Sequence, residues 1–390
     1  MIPAVLPTYA RNELAFDRGE GAYLFATNGR KYLDFASGIA VTALGHSHPH
    51  LVKTLIEQGQ KLWHCSNLFQ IPEQERLAER LVANSFADSV FFGNSGAEAV
   101  ELALKMVRKY HDDNGHPEKY RVIACTGSFH GRTLATLAAA GNEKYLKGYD
   151  PVVEGFDHVP FENLNELRAK ISGETAAILV EPVQGEGGMR AGSDDYLRGL
   201  RAVCDEFGLL LVFDEVQCGM GRTGKLFAHE WPDVKPDVMA VAKALGGGFP
   251  VGACLATEKV AKSMTAGTHG STFGGNPLAM AIGNAVLDVM LEKGFFERVQ
   301  KVSGYFRGKL QAVVTKYPGV YAEVRGKGLL TGLRCEAPNG EVSDRLRADG
   351  LLTVTAADNV VRLMPPLIVG ESHIDEAIGI IDGVARKWKH

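Results

Sequence analysis

Between about residues 50 and 275 the chain alternates two kinds of segment: short runs apolar at consecutive positions, and longer stretches whose apolar residues recur at helical spacing. The runs are Val90 to Phe92, Val122 to Cys125, Ala177 to Val180, Leu209 to Phe213, Val238 to Val241 and Ala253 to Ala256. A run without a polar face suits a strand covered on both sides, as in a mostly parallel sheet flanked by helices. The stretches between fit helices. Ala97 to His111 aligns Val100, Ala103, Leu104 and Val107, and Asp195 to Phe207 aligns Leu197, Leu200 and Val203. The middle of the chain is therefore predicted to be an α/β domain.

The flanks follow other patterns. Residues 21–36 place two short alternating runs about Asn28-Gly29, a hairpin signal because both residues tolerate a left-handed backbone. After Gly294 the pattern predicts a helix over Phe295 to Lys316, then strands at Leu329 to Leu333, Leu352 to Thr355 and Val360 to Leu363. A last helix is expected to open after Ser372, with Asp375 and Glu376 in its first turn and Arg386, Lys387 and Lys389 at its end, as the helix dipole favours. The organisation expected is an N-terminal segment over 1–49 that packs with a small α+β domain over 281–390, and a large α/β domain over 50–280.

Composition narrows the function. The 390 residues are 45% hydrophobic and 23% charged, ordinary globular usage that excludes a disordered or collagenous chain. Lys plus Arg number 42 against 46 Asp plus Glu, a net charge of −4, so no global field favours nucleic acid or a membrane surface. Any bound phosphate must be gripped locally. The six cysteines are scattered without a CxxC pair and read as reduced thiols of a cytoplasmic protein. No basic-then-apolar leader and no long uninterrupted apolar window occurs, so neither export nor a membrane span is expected.

In open α/β sheets ligands gather at the carboxyl ends of the strands, and here the residues just after each run are chemically specific. Gly93-Asn94-Ser95-Gly96-Ala97 leads into a helix, whose free N–H groups and Ser95 hydroxyl could cup a phosphate; a plain helix cap would look the same. The second run ends in Phe129-His130-Gly131-Arg132. Phe129 could stack on a planar ring and Arg132 could hold a carboxylate, where the bland alternative is a turn aromatic and a solvated arginine. Glu181 to Gly188 follows the third run, and Asp214-Glu215-Val216-Gln217 ends the fourth. An acid at the inner end of a strand is costly unless it faces a cation, which applies to Asp214. The fifth run ends in Lys243, whose ammonium form an apolar setting disfavours, and that suits Schiff-base chemistry. A phosphate cup, a stacking ring, an acid for a pyridinium nitrogen and an amine for an aldehyde are together what pyridoxal 5′-phosphate requires.

Two other patterns carry less. Gly219 to Lys225 satisfies both GxGxxG and GxxxxGK, but Leu226 stands where magnesium chemistry needs Ser or Thr, and Trp231-Pro232 interrupts the helix both motifs require. His46, His48 and His50 have no acid or thiol at ligand spacing, so capping and turn roles are expected and no metal.

As a set, Ser95-Gly96-Ala97, Phe129 to Arg132, Glu181 to Glu186, Asp214 to Gln217, Gly219 to Gly224, Lys243 and His269 to Pro277 resemble the class III, fold-type I pyridoxal-phosphate aminotransferases, and among them the acetylornithine aminotransferases. The resemblance runs from Pro7 to Pro366, with Cys218 where Thr is the commoner residue. It implies that Lys243 carries the cofactor and moves the proton, and that Asp214 keeps the ring nitrogen protonated. It further implies that Phe129 and Val216 cover the ring faces, that Gln217 bonds the phenolic oxygen, and that Gly96 and Ala97 hold the phosphate with Thr272 of the partner in a homodimer. For substrate it implies Arg132 on a carboxylate, with Ser271 contributed across the dimer. Arg362 would take the second carboxylate of glutamate or 2-oxoglutarate and be neutralised by Glu186 otherwise; the alternative for that pair is a static ion pair.

The function expected is reversible transfer of the δ-amino group of N2-acetylornithine to 2-oxoglutarate in arginine biosynthesis. Succinyl-diaminopimelate, succinylornithine or ornithine as donor, an aminomutase of the same fold, and a non-catalytic scaffold protein are the alternatives. The scaffold reading sits poorly with an intact Lys243 and Asp214.

Overall fold

The computed structural model describes residues 2–388. The N-terminal part forms β1 (Phe16–Glu20), β2 (Tyr23–Ala26) and β3 (Lys31–Asp34), and β2 and β3 make the expected hairpin, with Gly29 at φ +82° in its turn. Two helices follow, α1 (Pro49–Gly59) and α2 (Pro72–Ala83). Each starts on a proline, whose missing N–H is no loss in the first turn.

The large sheet contains β4 (Ser89–Gly93), β5 (Arg121–Cys125), β6 (Phe156–Val159), β7 (Thr175–Val180), β8 (Leu210–Asp214), β9 (Val238–Val241) and β10 (Gly252–Ala256). Its seven strands lie in the order β4-β10-β9-β8-β7-β5-β6. Pairing is parallel throughout β9-β8-β7-β5-β6, while β10 runs antiparallel to both β9 and β4. All the apolar runs become strands. The edge strand β6, Phe-Asp-His-Val, was invisible to that pattern because an edge covered on fewer sides keeps polar residues. Helices α3 (Gly96–Asp113) and α4 (Asp194–Phe207) cover the sheet and extend their predicted ranges by a residue or two.

Helices α5 (Pro277–Met290) and α6 (Phe295–Lys316) lead into β11 (Tyr321–Lys327), β12 (Leu330–Cys335), β13 (Leu351–Leu352), β14 (Val354–Ala356) and β15 (Val360–Leu363), and α7 (Glu371–Arg386) ends the described chain. The strand predicted over Leu352 to Thr355 is two strands in different sheets. β13 pairs with β3 of the N-terminal hairpin and β14 with β15, so Thr353 marks where the chain changes partners. Strand β11 was missed by the sequence reading. The last helix starts earlier than expected, with Gly370 rather than Ser372 as its cap, and Lys389 lies outside the described residues.

Candidate active site

The carboxyl ends of β4, β5, β8 and β9 and the approach to the reversed strand β10 converge on one cavity of about 440 Å³. Its walls include Ser95, Gly96, Ala97, Phe129, Arg132, Asp214, Val216, Gln217 and Lys243. Nine of the residues singled out from the sequence thus share one chamber, though they come from separate stretches of the chain. Val41 from the N-terminal part and Phe249, Pro250 and Val251 before β10 also line it; nothing in their local sequence marked them.

The candidate phosphate cup lies at the start of α3. Ser95 caps the helix, its Oγ accepting the Glu98 N–H at 3.2 Å, so the plain-cap reading holds for that acceptor while the hydroxyl hydrogen stays free to donate. The N–H groups of Gly96 and Ala97 take no acceptor within the described residues. Gly96 is required by space: a Cβ there would stand 2.6 Å from Val216 Cγ1.

Asp214 ends β8, buried at 3% exposure. One carboxylate oxygen accepts the Val216 N–H at 3.0 Å, and the other meets His130 Nδ1 at 2.8 Å. His130 is itself buried, and its Nε2 has no partner among the described residues. Beside them lies Glu181, whose oxygens accept the N–H groups of Phe129 at 2.9 Å and Gly185 at 3.4 Å. Burial, with the Asp214 charge nearby, pushes the Glu181 carboxyl up to about 7. The roles of His130 and Glu181 were not assigned from the sequence; the only signal was their place directly after strands β5 and β7.

Lys243 follows β9 in a tight turn, with φ +47°, a left-handed conformation that costs a non-glycine residue energy. Burial depresses its ammonium to about 8, helped by the like charge of Arg362 and opposed by Asp214, Glu186 and Glu181. A lysine so shifted is a free amine about a tenth of the time at pH 7, some hundreds of times more often than at the ordinary lysine value of 10.5. Gln217 is buried, and its Oε1 has no partner among the described residues.

Arg362, 1% exposed in the middle of β15, donates from Nη1 to Glu186 Oε1 at 2.6 Å and from Nη2 to the Thr355 carbonyl at 3.0 Å. Arg132, in contrast, makes no hydrogen bond or ion pair among the described residues. Glu186, Arg362, Ser271 and Thr272 are not among this cavity's walls: the Glu186–Arg362 pair lies near enough to act on Lys243, Thr272 is exposed, and Ser271 Oγ accepts the Gly274 N–H at 2.9 Å.

The remaining motifs go elsewhere. His46 Nε2 lies 2.8 Å from Asp34 and His50 Nε2 2.9 Å from Asp288, while His48 holds the cap position of α1 without a side-chain cap bond. The Gly219 to Gly224 loop turns inward, burying Arg222 and Thr223, and leads to the short turn Ala228–Glu230 rather than to a long helix.

Comparison with known proteins places this arrangement. The family described as Aminotransferase class-III matches residues 7–384. The chain is a class-III aminotransferase. An acetylornithine aminotransferase of Mesorhizobium japonicum is 58% identical over 98% of this chain and 96% of its own. Among solved structures, the N-acetylornithine aminotransferase of Stenotrophomonas maltophilia is 39% identical with a TM-score of 0.85, covering 96% of each chain. The ornithine aminotransferase of Toxoplasma gondii is 29% identical with a TM-score of 0.94, covering 98% of this chain and 92% of that one. Enzymes of this family use pyridoxal phosphate. The residues of this aminotransferase fit that group: unpaired N–H donors for the phosphate, apolar Phe129 and Val216 for the ring, a Gln217 side-chain amide that makes no hydrogen bond among the described residues and so has N–H donors to offer, a buried acid and a depressed lysine. Among the described residues no helix is long and apolar enough to cross a membrane.

Proposed function

We propose that this aminotransferase moves the δ-amino group of N2-acetylornithine to 2-oxoglutarate. Support for the donor comes from the relatives named acetylornithine aminotransferase, which align over nearly the whole chain. The observation that carries the two-substrate reading is the Glu186 and Arg362 pair at 2.6 Å, set beside a lysine whose ammonium Arg362 repels. A buried guanidinium held by a movable carboxylate can accept a second substrate carboxylate in one half of the cycle and be neutralised in the other.

In this reading the bound cofactor supplies an electron sink for the carbanion left when the substrate carbon loses its proton. Lys243 Nζ holds the cofactor and then carries that proton, a task its lowered basicity suits. Asp214, fixed by the Val216 N–H and by His130, would be the acidic partner of the ring nitrogen. Gly96 and Ala97 N–H groups and the Ser95 hydroxyl would hold the phosphate, Phe129 and Val216 would offer apolar cover to the ring, and the Gln217 amide would bond its oxygen; all six line the same cavity. Arg132 takes the carboxylate shared by both substrates, and the lack of a hydrogen bond or ion pair to its guanidinium among the described residues leaves its N–H donors free to do so.

The working unit we propose is a homodimer in which Ser271 and Thr272 complete the partner's site. Both stand away from their own cavity, and next to them Phe273 is 62% exposed. Asn67 Nδ2 ties that loop to the segment carrying Leu62, Trp63, Leu68 and Phe69, all exposed, through the Ser271 and Gly274 carbonyls at 3.1 and 2.9 Å. Five large apolar side chains exposed on two linked segments are costly unless covered. Six free cysteines, five of them buried, suit a reducing cytoplasm.

The test is a half-reaction. Purified holoenzyme is mixed with N2-acetylornithine, succinyl-diaminopimelate, succinylornithine or ornithine, without an acceptor, and the visible cofactor band is followed. Acetylornithine is expected to bleach it fastest and 2-oxoglutarate to restore it. Faster bleaching by another donor would transfer the assignment to that donor, and recovery without 2-oxoglutarate would favour an aminomutase.

A further inference from the structure

We propose that Tyr145 is a positioning residue that aims Arg132 at the substrate carboxylate. This rests on the reading of Arg132 given above and goes beyond it, because it identifies what holds the guanidinium in place.

The backbone around Arg132 is fixed on both sides. Gly131, at φ +136°, packs so closely that a Cβ would lie 2.9 Å from the Ala97 side chain, and Thr133 donates its N–H to Thr136 Oγ1 at 3.0 Å. The long side chain is a different matter. No carboxylate, carbonyl or hydroxyl of the described residues bonds its guanidinium, so its several rotatable bonds would leave the charged end spread over many positions.

One group constrains it. The Arg132 guanidinium carbon sits 3.7 Å over the centre of the Tyr145 ring and 5.4 Å from the Phe129 ring, and the two rings meet edge to face with centroids 6.4 Å apart. The chain is built to bring Tyr145 there. Helix Leu134–Ala140 ends on Gly141, at φ +63°, which reverses direction in a space where a Cβ would strike the His158 ring. Asn142 then caps the short helix Glu143–Leu146, on which Tyr145 lies. The Tyr145 hydroxyl makes no hydrogen bond among the described residues, so the ring face is the working part.

Stacking leaves the edge of a guanidinium, with its N–H donors, open to a carboxylate, whereas a protein carboxylate would have consumed it. It also links the substrate anchor to Phe129. An aromatic face thereby orients the cation without neutralising it, an advantage for a group that must bind an anion in both halves of the cycle.

The experiment compares holoenzyme of wild type, Tyr145→Leu, Tyr145→Phe and Arg132→Ala. Glutarate, which carries carboxylates and no transferable amine, is titrated by calorimetry, and KM and kcat are measured for donor and acceptor. Tyr145→Leu is expected to weaken glutarate and raise both KM values by about three- to thirtyfold, with kcat and the cofactor band held. Tyr145→Phe, which retains the ring, is expected to restore wild-type binding. Unchanged glutarate affinity in Tyr145→Leu, alongside a large loss in Arg132→Ala, would overturn the role of Tyr145 alone. Equal losses in the Leu and Phe variants would overturn it as well. Unchanged affinity in Arg132→Ala would overturn the carboxylate reading of Arg132 and this proposal with it.

Discussion

Replacing Glu186 by Gln removes one charge and keeps the side-chain shape, so it isolates what that carboxylate does for Arg362. The pair meets at 2.6 Å with Arg362 almost fully buried, and the Arg362 Nε already lacks a partner. A hydrogen bond between charged groups contributes about 1.5 to 3 kcal/mol, and the Glu186 side chain is 29% exposed, so the lower half of that range applies. The pair is formed in the free enzyme and stays formed while acetylornithine occupies the site, so its loss weighs equally on both states and that half-reaction stays near its wild-type efficiency, whereas the glutamate half-reaction gains the energy otherwise needed to break the pair. Glutamate brings its own second carboxylate and no longer has to displace Glu186. The ratio of the two half-reaction efficiencies should therefore move toward glutamate by about ten- to thirtyfold, since 1.4 kcal/mol is a factor of ten. Stopped-flow absorbance of the cofactor band with each donor in turn measures it. If both half-reactions fall equally, or the ratio stays within about twofold, Glu186 and Arg362 form a static pair and the gating argument is wrong.

Three further outcomes follow from the geometry and the titrations. Because the Lys243 ammonium is depressed to about 8, cofactor uptake by the apoprotein should climb about tenfold per pH unit below that point and level above it; a plateau reached only near the ordinary lysine value of 10.5 would contradict the burial argument. Glu181 has a folded pKa raised from 4.5 to about 7, so its contribution to stability is full below 4.5 and is lost as pH rises through 7. Glu181→Gln apoprotein should therefore gain in Tm relative to wild type as pH goes from 5 to 8, and a difference independent of pH would show that the carboxyl titrates normally. Gly96→Ala puts a methyl 2.6 Å from Val216 Cγ1, and overpacking of that kind costs about 1 to 3 kcal/mol. Equilibrium dialysis should show pyridoxal phosphate held about five- to a hundredfold more weakly, and undiminished retention would mean that Val216 moves aside freely.

Much of this protein was legible from local pattern. Strands β5, β7, β8 and β9 are buried on both faces and so had to be apolar at successive positions, which is why the runs marked them. The ligand-binding edge of such a sheet is fixed by strand direction, so the residues after each run could be nominated before any contact was known. Polar edge strand β6 escaped because partial exposure relaxes the same constraint, and the break at Thr353 escaped because a change of pairing partner leaves no mark on hydrophobic alternation.

What tertiary structure alone decided are encounters between distant residues. Asp214 and His130 stand 84 positions apart, and Arg362 and Glu186 176 apart, and neither member of a pair carries a local signal naming the other. The same holds for Tyr145, an unremarked residue of a one-turn helix until a glycine reversal lays its ring on Arg132. The sequence by itself determined which groups could do chemistry and on which edge of the sheet they would stand, because periodicity and strand ends are local properties. Which groups touch, and so which charge is paired, which is left free and which lysine loses its proton, depended on distances and desolvation that exist only once the chain has closed around the cavity.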